Sequence, residues 1–348
     1  MKAAVLHGPG RLVLEEVDDP PCPPDGILMK VLACSICGTD LKMLKNGHRD
    51  LSYPRIMGHE LVGEVAEIGA EARPLAEVGE AVQVWPGIAC GRCQPCLKGW
   101  DNHCERIGIL GFNRDGGWCE KLALPQESLQ TGLILVERSR SEAFSLTEPL
   151  ACCCNAQESA EVGEDDLVLI LGGGPLGCLN GLLAERKGAR VVLAEPLASR
   201  RRIIGQARAG WRVVDPAEED LGQALAEESG AALADVIVPA APQVSVEALL
   251  PLAGPKCRIS VFCGPLPGEE TVRMDMRAVH YGEIVLAGAY GCSSRHNREA
   301  ARLIASGEID LDWLITYRAG LDGIGSAIDH AARREGMRAT ILPQINRR

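Results

Sequence analysis

Four cysteines stand at Cys90, Cys93, Cys96 and Cys104, a C-x2-C-x2-C-x7-C run inside a loop rich in Gly, Pro and Lys. Four thiolates converging from one short loop suit a tetrahedral zinc ion and leave it no open position, the chemistry of a structural site. Consecutive C-x2-C-x2-C also occurs in iron–sulfur ligation, but there the run continues with a short spacing and Pro. Here a seven-residue gap intervenes and Glu105 follows. Four unrelated buried thiols are the remaining reading. A second set is dispersed: Cys37 in CSICGTD, His59 and Glu60 in GHE, and Glu148 in TEPLA. One thiolate, one imidazole and carboxylates make a zinc shell that keeps a position open for a substrate oxygen. Taken singly, each has an ordinary alternative as a buried thiol, a core histidine or a helix-capping carboxylate.

A third signal is Gly172-Gly173-Gly174-Pro175-Leu176-Gly177, which satisfies G-x-G-x-x-G through Gly172, Gly174 and Gly177. The run directly follows the apolar stretch LVLIL and opens a helical one. Glu195 follows at the end of the next strand-like run, 23 positions after Gly172, near the roughly 20 expected of a dinucleotide site. Small residues let the backbone approach a pyrophosphate. Free N–H groups at the helix N-terminus, which Pro175 opens without an N–H of its own and Leu176 continues, favour its charge. The alternative is an ordinary strand-to-helix turn with Glu195 a solvated loop acid. A carboxylate at Glu195 accepts ribose hydroxyls and repels a 2′-phosphate, which favours NAD over NADP. Arg200, with Arg201 and Arg202, pulls the other way, because a nearby Arg can accept that phosphate. The three also read as the charged outer face of a helix.

The elements that must position these groups fall into two patterns. Up to about residue 150 the chain is rich in Gly and Pro, with short strand-like runs such as LVLEEV, ILMKVLA, ELVGEVAEIG and AVQVWP, the text of a β-rich domain. From about residue 165, apolar strands LVLIL, VVLAEP, DVIVPAA, CRISVFCG and EIVLAGAYG alternate with helical stretches, SVEALLPLAG among them. That implies a parallel sheet covered on both faces. After residue 294, REAARLIASGEI, WLITYRAG, GIGSAIDHAARR and ATILPQI read as a return to the first domain. A length of 348 residues suits about two domains, and 46% hydrophobic with 24% charged residues is a soluble globular balance. The net charge of -11 argues against nucleic acid and against acidic lipid as partners. No apolar run approaches the roughly 18 residues of a membrane span. The opening MKAAVLHGPGRLVLEE lacks the apolar core and cleavage site of a secretory signal. The 15 cysteines therefore read as reduced thiols plus metal sites rather than a secreted disulfide scaffold, and a cytoplasmic protein is expected.

The motifs CGTD (37–40), GHE (58–60), the four-cysteine loop, GFNRDGGWCEKLALP (111–125), EPLA (148–151) and LGGGPLG (171–177) occur in that order along the chain. Together they resemble the zinc-dependent medium-chain alcohol dehydrogenase superfamily, in its sorbitol (polyol) and threonine dehydrogenase branch, over essentially the whole sequence. The resemblance implies an α/β fold: a discontinuous GroES-like β-rich catalytic domain (1–155 and 289–348) and an inserted Rossmann NAD-binding domain, a doubly wound parallel sheet (156–288), with the active site in the cleft. It implies two zinc ions per chain, a structural one on the four cysteines and a catalytic one on Cys37, His59 and Glu148. Glu60 would be a nearby carboxylate able to exchange with water or Glu148. Ethanol-type enzymes generally carry Cys where Glu148 stands, whereas the polyol and threonine branch carries Glu.

The implied reaction is reversible oxidation of a secondary alcohol to a ketone, with zinc acidifying the hydroxyl and hydride passing to C4 of nicotinamide. Thr39 matches the hydroxyl that passes the alcohol proton towards the cofactor ribose. Lys42 stands where many relatives carry a His that ends this relay. Either its amine or a neighbouring water takes over, or Lys42 contacts the cofactor or lies at the surface. Sorbitol enzymes tend to carry an Arg-Tyr pair where this chain has Tyr290-Gly291-Cys292, which disfavours sorbitol itself. Asn113, Arg114, Tyr290 and Arg295 are candidate substrate contacts; Arg114 or Arg295 would suit a sugar acid, although surface charge is the role that the sequence favours for both. The expected substrate is a polyol, cyclitol or other sugar-derived secondary alcohol. L-threonine 3-dehydrogenase and hexonate 5-dehydrogenase activities are the rivals. A catalytically silent zinc- and nucleotide-binding subunit is the reading from another class. By analogy the protein is expected to be a homo-oligomer, a dimer or a homotetramer.

Overall fold

Alternation in ILMKVLACS puts Ile27, Met29 and Val31 on one face, and the segment forms the strand Ile27–Ser35 with those three side chains fully buried. The computed structural model describes residues 1–345 other than 74, 75, 209, 242, 266, 267 and 269. Its contacts divide into two units, Met1–Ala151 with Cys292–Arg348, and Cys152–Gly291. In the first unit Ile27–Ser35 is the hub of a seven-stranded sheet. It pairs antiparallel with Glu60–Ile68 on one side and with Arg338–Ile341 on the other, while Lys121–Leu124 pairs with its first half. The sheet continues outward through Ala81–Val84 to Leu133–Leu135, and beyond Arg338–Ile341 to Ile315–Ala319. A smaller sheet orders Leu12–Glu16, Lys2–Leu6 and Arg55–Ile56. Trp118, Met29, Leu61, Leu124 and Ile341 lie together in the core of this unit. The unit is the β-rich, GroES-like half of the fold.

The second unit is a six-stranded parallel sheet in the order Arg212–Val214, Arg190–Ala194, Leu167–Leu171, Ala234–Pro239, Ala253–Val261, Val285–Gly288. Strand order reverses between Leu167–Leu171 and Ala234–Pro239. In a sheet of this Rossmann type, ligands bind outside the carboxyl ends of the strands at such a switch point. LVLIL is buried along its whole length, as a strand with helices over both faces must be. One expected helix is not formed: SVEALLPLAG gives only a 3-10 segment, Glu247–Leu252. Pro251 inside it has no N–H to donate. The short helices Gly38–Asn46 and Met276–Gly282 lie outside the elements expected from the sequence.

Gly177 shows why the turn after Leu167–Leu171 is written in glycines. A Cβ there would stand 1.9 Å from the Gly172 carbonyl oxygen, so helix Pro175–Arg186 packs on the strand only through a bare Cα. Gly172 itself takes φ +110°, a backbone state that side chains disfavour. Gly177→Ala is therefore expected to destabilise this unit by about 1–3 kcal/mol, the usual range for overpacking, as read by chemical denaturation. A matched Gly205→Ala, where nothing lies near the added carbon, should be neutral or stabilising.

Candidate active site

The register that pairs Ser35 with Glu60 places the end of one strand beside the start of the other. Cys37 follows the first strand immediately and His59–Glu60 open the second, so residues far apart in sequence converge. One ligand atom from each of Cys37, His59 and Glu60 lies within 4.8 Å of the others. Gly58 admits this approach: a Cβ there would meet Trp118 at 2.5 Å and the Cys34 sulfur at 2.7 Å. Cys37 holds an extended backbone as the N-cap of helix Gly38–Asn46. Its Sγ accepts the Thr39 N–H at 3.5 Å, and its own N–H donates to Asp40 Oδ2 at 2.8 Å, a capping box with a thiol in place of the usual hydroxyl.

Asp40 also faces the imidazole. Its Oδ1 stands 3.2 Å from His59 Nδ1, a charged contact that misses hydrogen-bond geometry and leaves both atoms formally unpaired. With Nδ1 turned to Asp40, Nε2 is the nitrogen left for an ion. Burial works against a charge on His59, but the Asp40 carboxylate and the Cys37 thiol outweigh it and hold the imidazole pKa well above its ordinary value. Glu60 is fully buried, and both of its oxygens lack a hydrogen-bond partner. Burial pushes its carboxyl up to about 7, while Arg338 and His59 pull in the other direction. Arg338 arrives from the far end of the chain, donates to the Ile36 carbonyl at 2.9 Å, and brings Nη2 to 3.2 Å from Glu60. Buried polar atoms without partners are costly. A cation among a thiol, an imidazole and a carboxylate would relieve that cost, so the donor set fits zinc.

Glu148 sits in the first turn of helix Thr147–Ser159. It is outside the 4.8 Å group but acts electrostatically on Glu60 and Arg338. Thr39 is half-buried and Lys42 is exposed, both on helix Gly38–Asn46. Asn113 spends its amide on its own loop, accepting from Ile109 N–H at 2.7 Å and donating to the Ile107 carbonyl. Arg114 donates to the Asn113 carbonyl. Tyr290 and Arg295 are exposed. Asp40 and Arg338 are additions to the sequence-derived set. Asp40 lies inside CGTD but gains its role only through the helix that Cys37 caps, and nothing in the spacing marked Arg338.

The thiols of Cys90, Cys93, Cys96 and Cys104 also fall within 4.8 Å of one another. Cys93 donates to the Cys96 sulfur at 3.4 Å, and the Cys90 N–H donates to the Cys104 sulfur at 3.3 Å. Backbone N–H groups of Arg92 and Cys93 draw the Cys90 thiol down to about 6, while burial and the neighbouring thiols push Cys96 up to about 12. Four crowded sulfurs that share protons so unequally suit a divalent ion, which lets all four ionise.

In the parallel-sheet unit, Gly172, Gly174, Pro175, Leu176 and Gly177 form one turn, with Gly174 the N-cap and Pro175 the first helical residue. Glu195 is buried beneath it, accepting from Gly173 N–H and Leu197 N–H, each at 2.8 Å. Arg200 passes over the turn, its Nη1 3.2 Å from where a Gly174 Cβ would be. Arg201 is tied to the Glu195 and Pro196 carbonyls and to Asp215. Open backbone over a helix N-terminus, with a carboxylate below and a guanidinium above, fits a dinucleotide.

The profile of the Alcohol dehydrogenase GroES-like domain family matches residues 23–131. L-threonine 3-dehydrogenase of Pyrococcus horikoshii is 33% identical over 317 residues, covering 88% of this chain and 87% of that protein. L-galactonate-5-dehydrogenase of Escherichia coli is 29% identical, covering 91% of each. Among solved structures, a zinc-binding dehydrogenase of Sinorhizobium meliloti bound to NADP superposes with a TM-score of 0.88 at 31% identity, covering 98% of this chain and 99% of that one.

Arg338 is the cation that Glu60 faces, at 3.2 Å. Arg338→Met should leave that carboxylate buried and uncompensated. The expected cost is about 3–5 kcal/mol, read by denaturant unfolding of the metal-stripped protein, and Glu60→Gln in the same background should restore much of it.

Proposed function

The chain belongs to the zinc-dependent medium-chain alcohol dehydrogenase superfamily, and on that premise we propose that it moves a hydride between NAD(H) and a secondary alcohol or ketone of sugar-like kind: a polyol, a cyclitol or a related alcohol. The observation that carries this reading is the convergence of the half-buried Cys37 with the buried His59 and Glu60, one ligand atom of each lying within 4.8 Å of the others. Cys37, His59 and Glu148 would hold the catalytic zinc, and the four-cysteine loop the structural one. When bound, the catalytic ion supplies the Lewis acidity that makes an alcohol hydroxyl easier to deprotonate.

The remaining work falls to the chain's own groups. Asp40 fixes the His59 ring and directs Nε2 inward. Arg338 holds Glu60 as a second carboxylate within reach. The Thr39 hydroxyl, two residues after the thiol cap, is the first carrier of the alcohol proton in this reading, and Lys42, three residues further along the same helix, its outlet. The N–H groups that open helix Pro175–Arg186, at Leu176 and Gly177, take the pyrophosphate, and Glu195 the adenosine ribose. Two backbone donors hold the Glu195 carboxylate in place beneath the glycine turn, which supports NAD. Arg200 over Gly174 is the feature that would admit the extra phosphate of NADP, the cofactor bound by the Sinorhizobium relative.

The unit Met1–Ala151 with Cys292–Arg348 is assigned to metal and substrate, and Cys152–Gly291 to cofactor. The sheet of the latter ends at Val285–Gly288, whose Val285 and Leu286 are about half exposed. This supports an oligomer, dimer or tetramer, in which that edge is covered. Among the described residues no helix is long and apolar enough to cross a membrane, and with the acidic net charge this supports a cytoplasmic location.

A panel of polyols, cyclitols, sugar acids and L-threonine, read by NADH absorbance, tests the proposal. Turnover with a sugar-derived alcohol, abolished by chelation and restored by zinc, is the expected outcome. Preference for L-threonine or a hexonate would move the chain to the activity named for its Pyrococcus or Escherichia relative. Asp40→Asn should weaken metal binding at the catalytic set about 10–100-fold, measured by competition with a chromophoric chelator, while the four-cysteine loop keeps its ion.

A further inference from the structure

The four-cysteine loop is tied to helix Ser294–Ala305 by buried polar contacts that the reaction described above does not use. Gln83, on the strand Ala81–Val84 that leads towards the loop, exchanges two amide hydrogen bonds with Asn297, at 2.7 and 3.3 Å. Two residues further on, the Trp85 indole N–H donates to the Cys292 carbonyl at 3.2 Å. A third contact starts inside the loop, between Cys96 and Cys104. Asp101 accepts the Ser294 N–H at 2.9 Å on one carboxylate oxygen and the Ser294 hydroxyl on the other. Gln83, Trp85, Asp101, Ser294 and Asn297 are all buried. Ser294 opens its helix, and the first N–H groups of a helix have no acceptor within it. Ser293 caps the His296 N–H, and Asp101 serves Ser294 with a charge that a helix N-terminus favours.

Asp101 faces two ways. Its carbonyl accepts the Cys104 N–H at 3.0 Å, so its backbone is held by a residue of the four-thiol set while its side chain holds Ser294. Ser294 stands two residues after Cys292, and the Cys292 sulfur lies within 4.8 Å of a Glu148 carboxylate oxygen. A continuous run of contacts leads from Cys104 through Asp101 and Ser294 to the residue packed beside Glu148.

We propose that Asp101 is a positioning residue for Glu148: it passes the order that an ion imposes on the four thiols to the corner Cys292–Ser294, and so fixes the wall against which the Glu148 carboxylate rests. The proposal rests on the reading of the four cysteines, and of Cys37, His59 and Glu148, as metal sites. Four sulfurs on one ion fix Cys104 and with it the turn that carries Asp101. When that turn loosens, two buried donors of Ser294 lose their acceptor. Trp85 and Gln83 keep the helix itself in place, so what is lost is the alignment of its first turn and not the fold.

The test is hydrogen–deuterium exchange over residues 292–305 of the full, zinc-loaded protein, together with zinc affinity at the catalytic set by competition with a chromophoric chelator. Asp101→Ala is expected to quicken exchange at the amides of residues 294–297 about tenfold and to weaken zinc at the catalytic set about tenfold, while the loop keeps its own ion. Asp101→Asn, which still accepts the Ser294 N–H, should stay within about twofold of the wild type on both measures. Cys93→Ser, which empties the loop, should reproduce Asp101→Ala, and the two changes together should do no more than either alone. Ser294→Ala, which leaves the loop untouched, should move both measures in the same direction by a smaller amount. Unchanged exchange or unchanged zinc affinity in Asp101→Ala, or effects of Cys93→Ser and Asp101→Ala that add, would overturn the proposal and leave both metal sites standing. A wild type that takes up zinc only in the four-cysteine loop would overturn it together with the reading of Cys37, His59 and Glu148.

Discussion

The pairing of Ile27–Ser35 with Glu60–Ile68 is the constraint on which the site depends. Ser35 opposes Glu60, and that single alignment carries Cys37 to His59 across a gap of more than twenty residues. A slip of one residue would turn every side chain of one strand to the opposite face. Register shifts between Leu28 and Met29 and between Val31 and Ala33 interrupt the ladder, so the alignment at the working end is set separately from that at the far end. Met29, Val31 and Leu61 in the core below lock it by burial.

The site concentrates negative charge where water is scarce. Asp40 and Glu60 are both fully buried, and Glu148 adds its field to theirs. Arg338 and a protonated His59 are the counter-charges, and each does a second job. Arg338 binds the Ile36 carbonyl one residue before Cys37, tying strand, thiol and carboxylate into one rigid corner. In the proposed metal centre His59 would give up its proton before its nitrogen coordinates, in a pocket that already holds the Arg338 guanidinium.

The sequence was most readable where the physics is local. Four thiols in one loop, a glycine turn between an apolar strand and a helix, and a Glu one strand later each state their chemistry within a few dozen residues. LVLIL and VVLAEP formed the expected parallel strands because buried β-runs admit few other uses. Arg338 was opaque for the opposite reason. It joins the site through a fold contact with residues far back in the chain, and no spacing rule links it to Glu60. Helix Gly38–Asn46 was hidden by its cap: Cys37 does the work that Ser or Asp ordinarily does. Helix Met276–Gly282 buries none of its side chains, so it has no apolar face to write into the sequence. In SVEALLPLAG the apolar periodicity was real, and Pro251 overruled it.

The place of Arg338–Ile341 in the sheet has a consequence for synthesis. This late strand sits directly beside Ile27–Ser35, one of the earliest. On the ribosome the early strands wait with a raw hydrogen-bonding edge, while the contiguous stretch Cys152–Gly291 can fold as soon as it emerges. The hub sheet closes only after Arg338–Ile341 has emerged, and with that strand arrives the guanidinium that Glu60 faces. Synthesis thus delivers the whole parallel-sheet unit before the strand that supplies Arg338 to the Cys37–His59–Glu60 group.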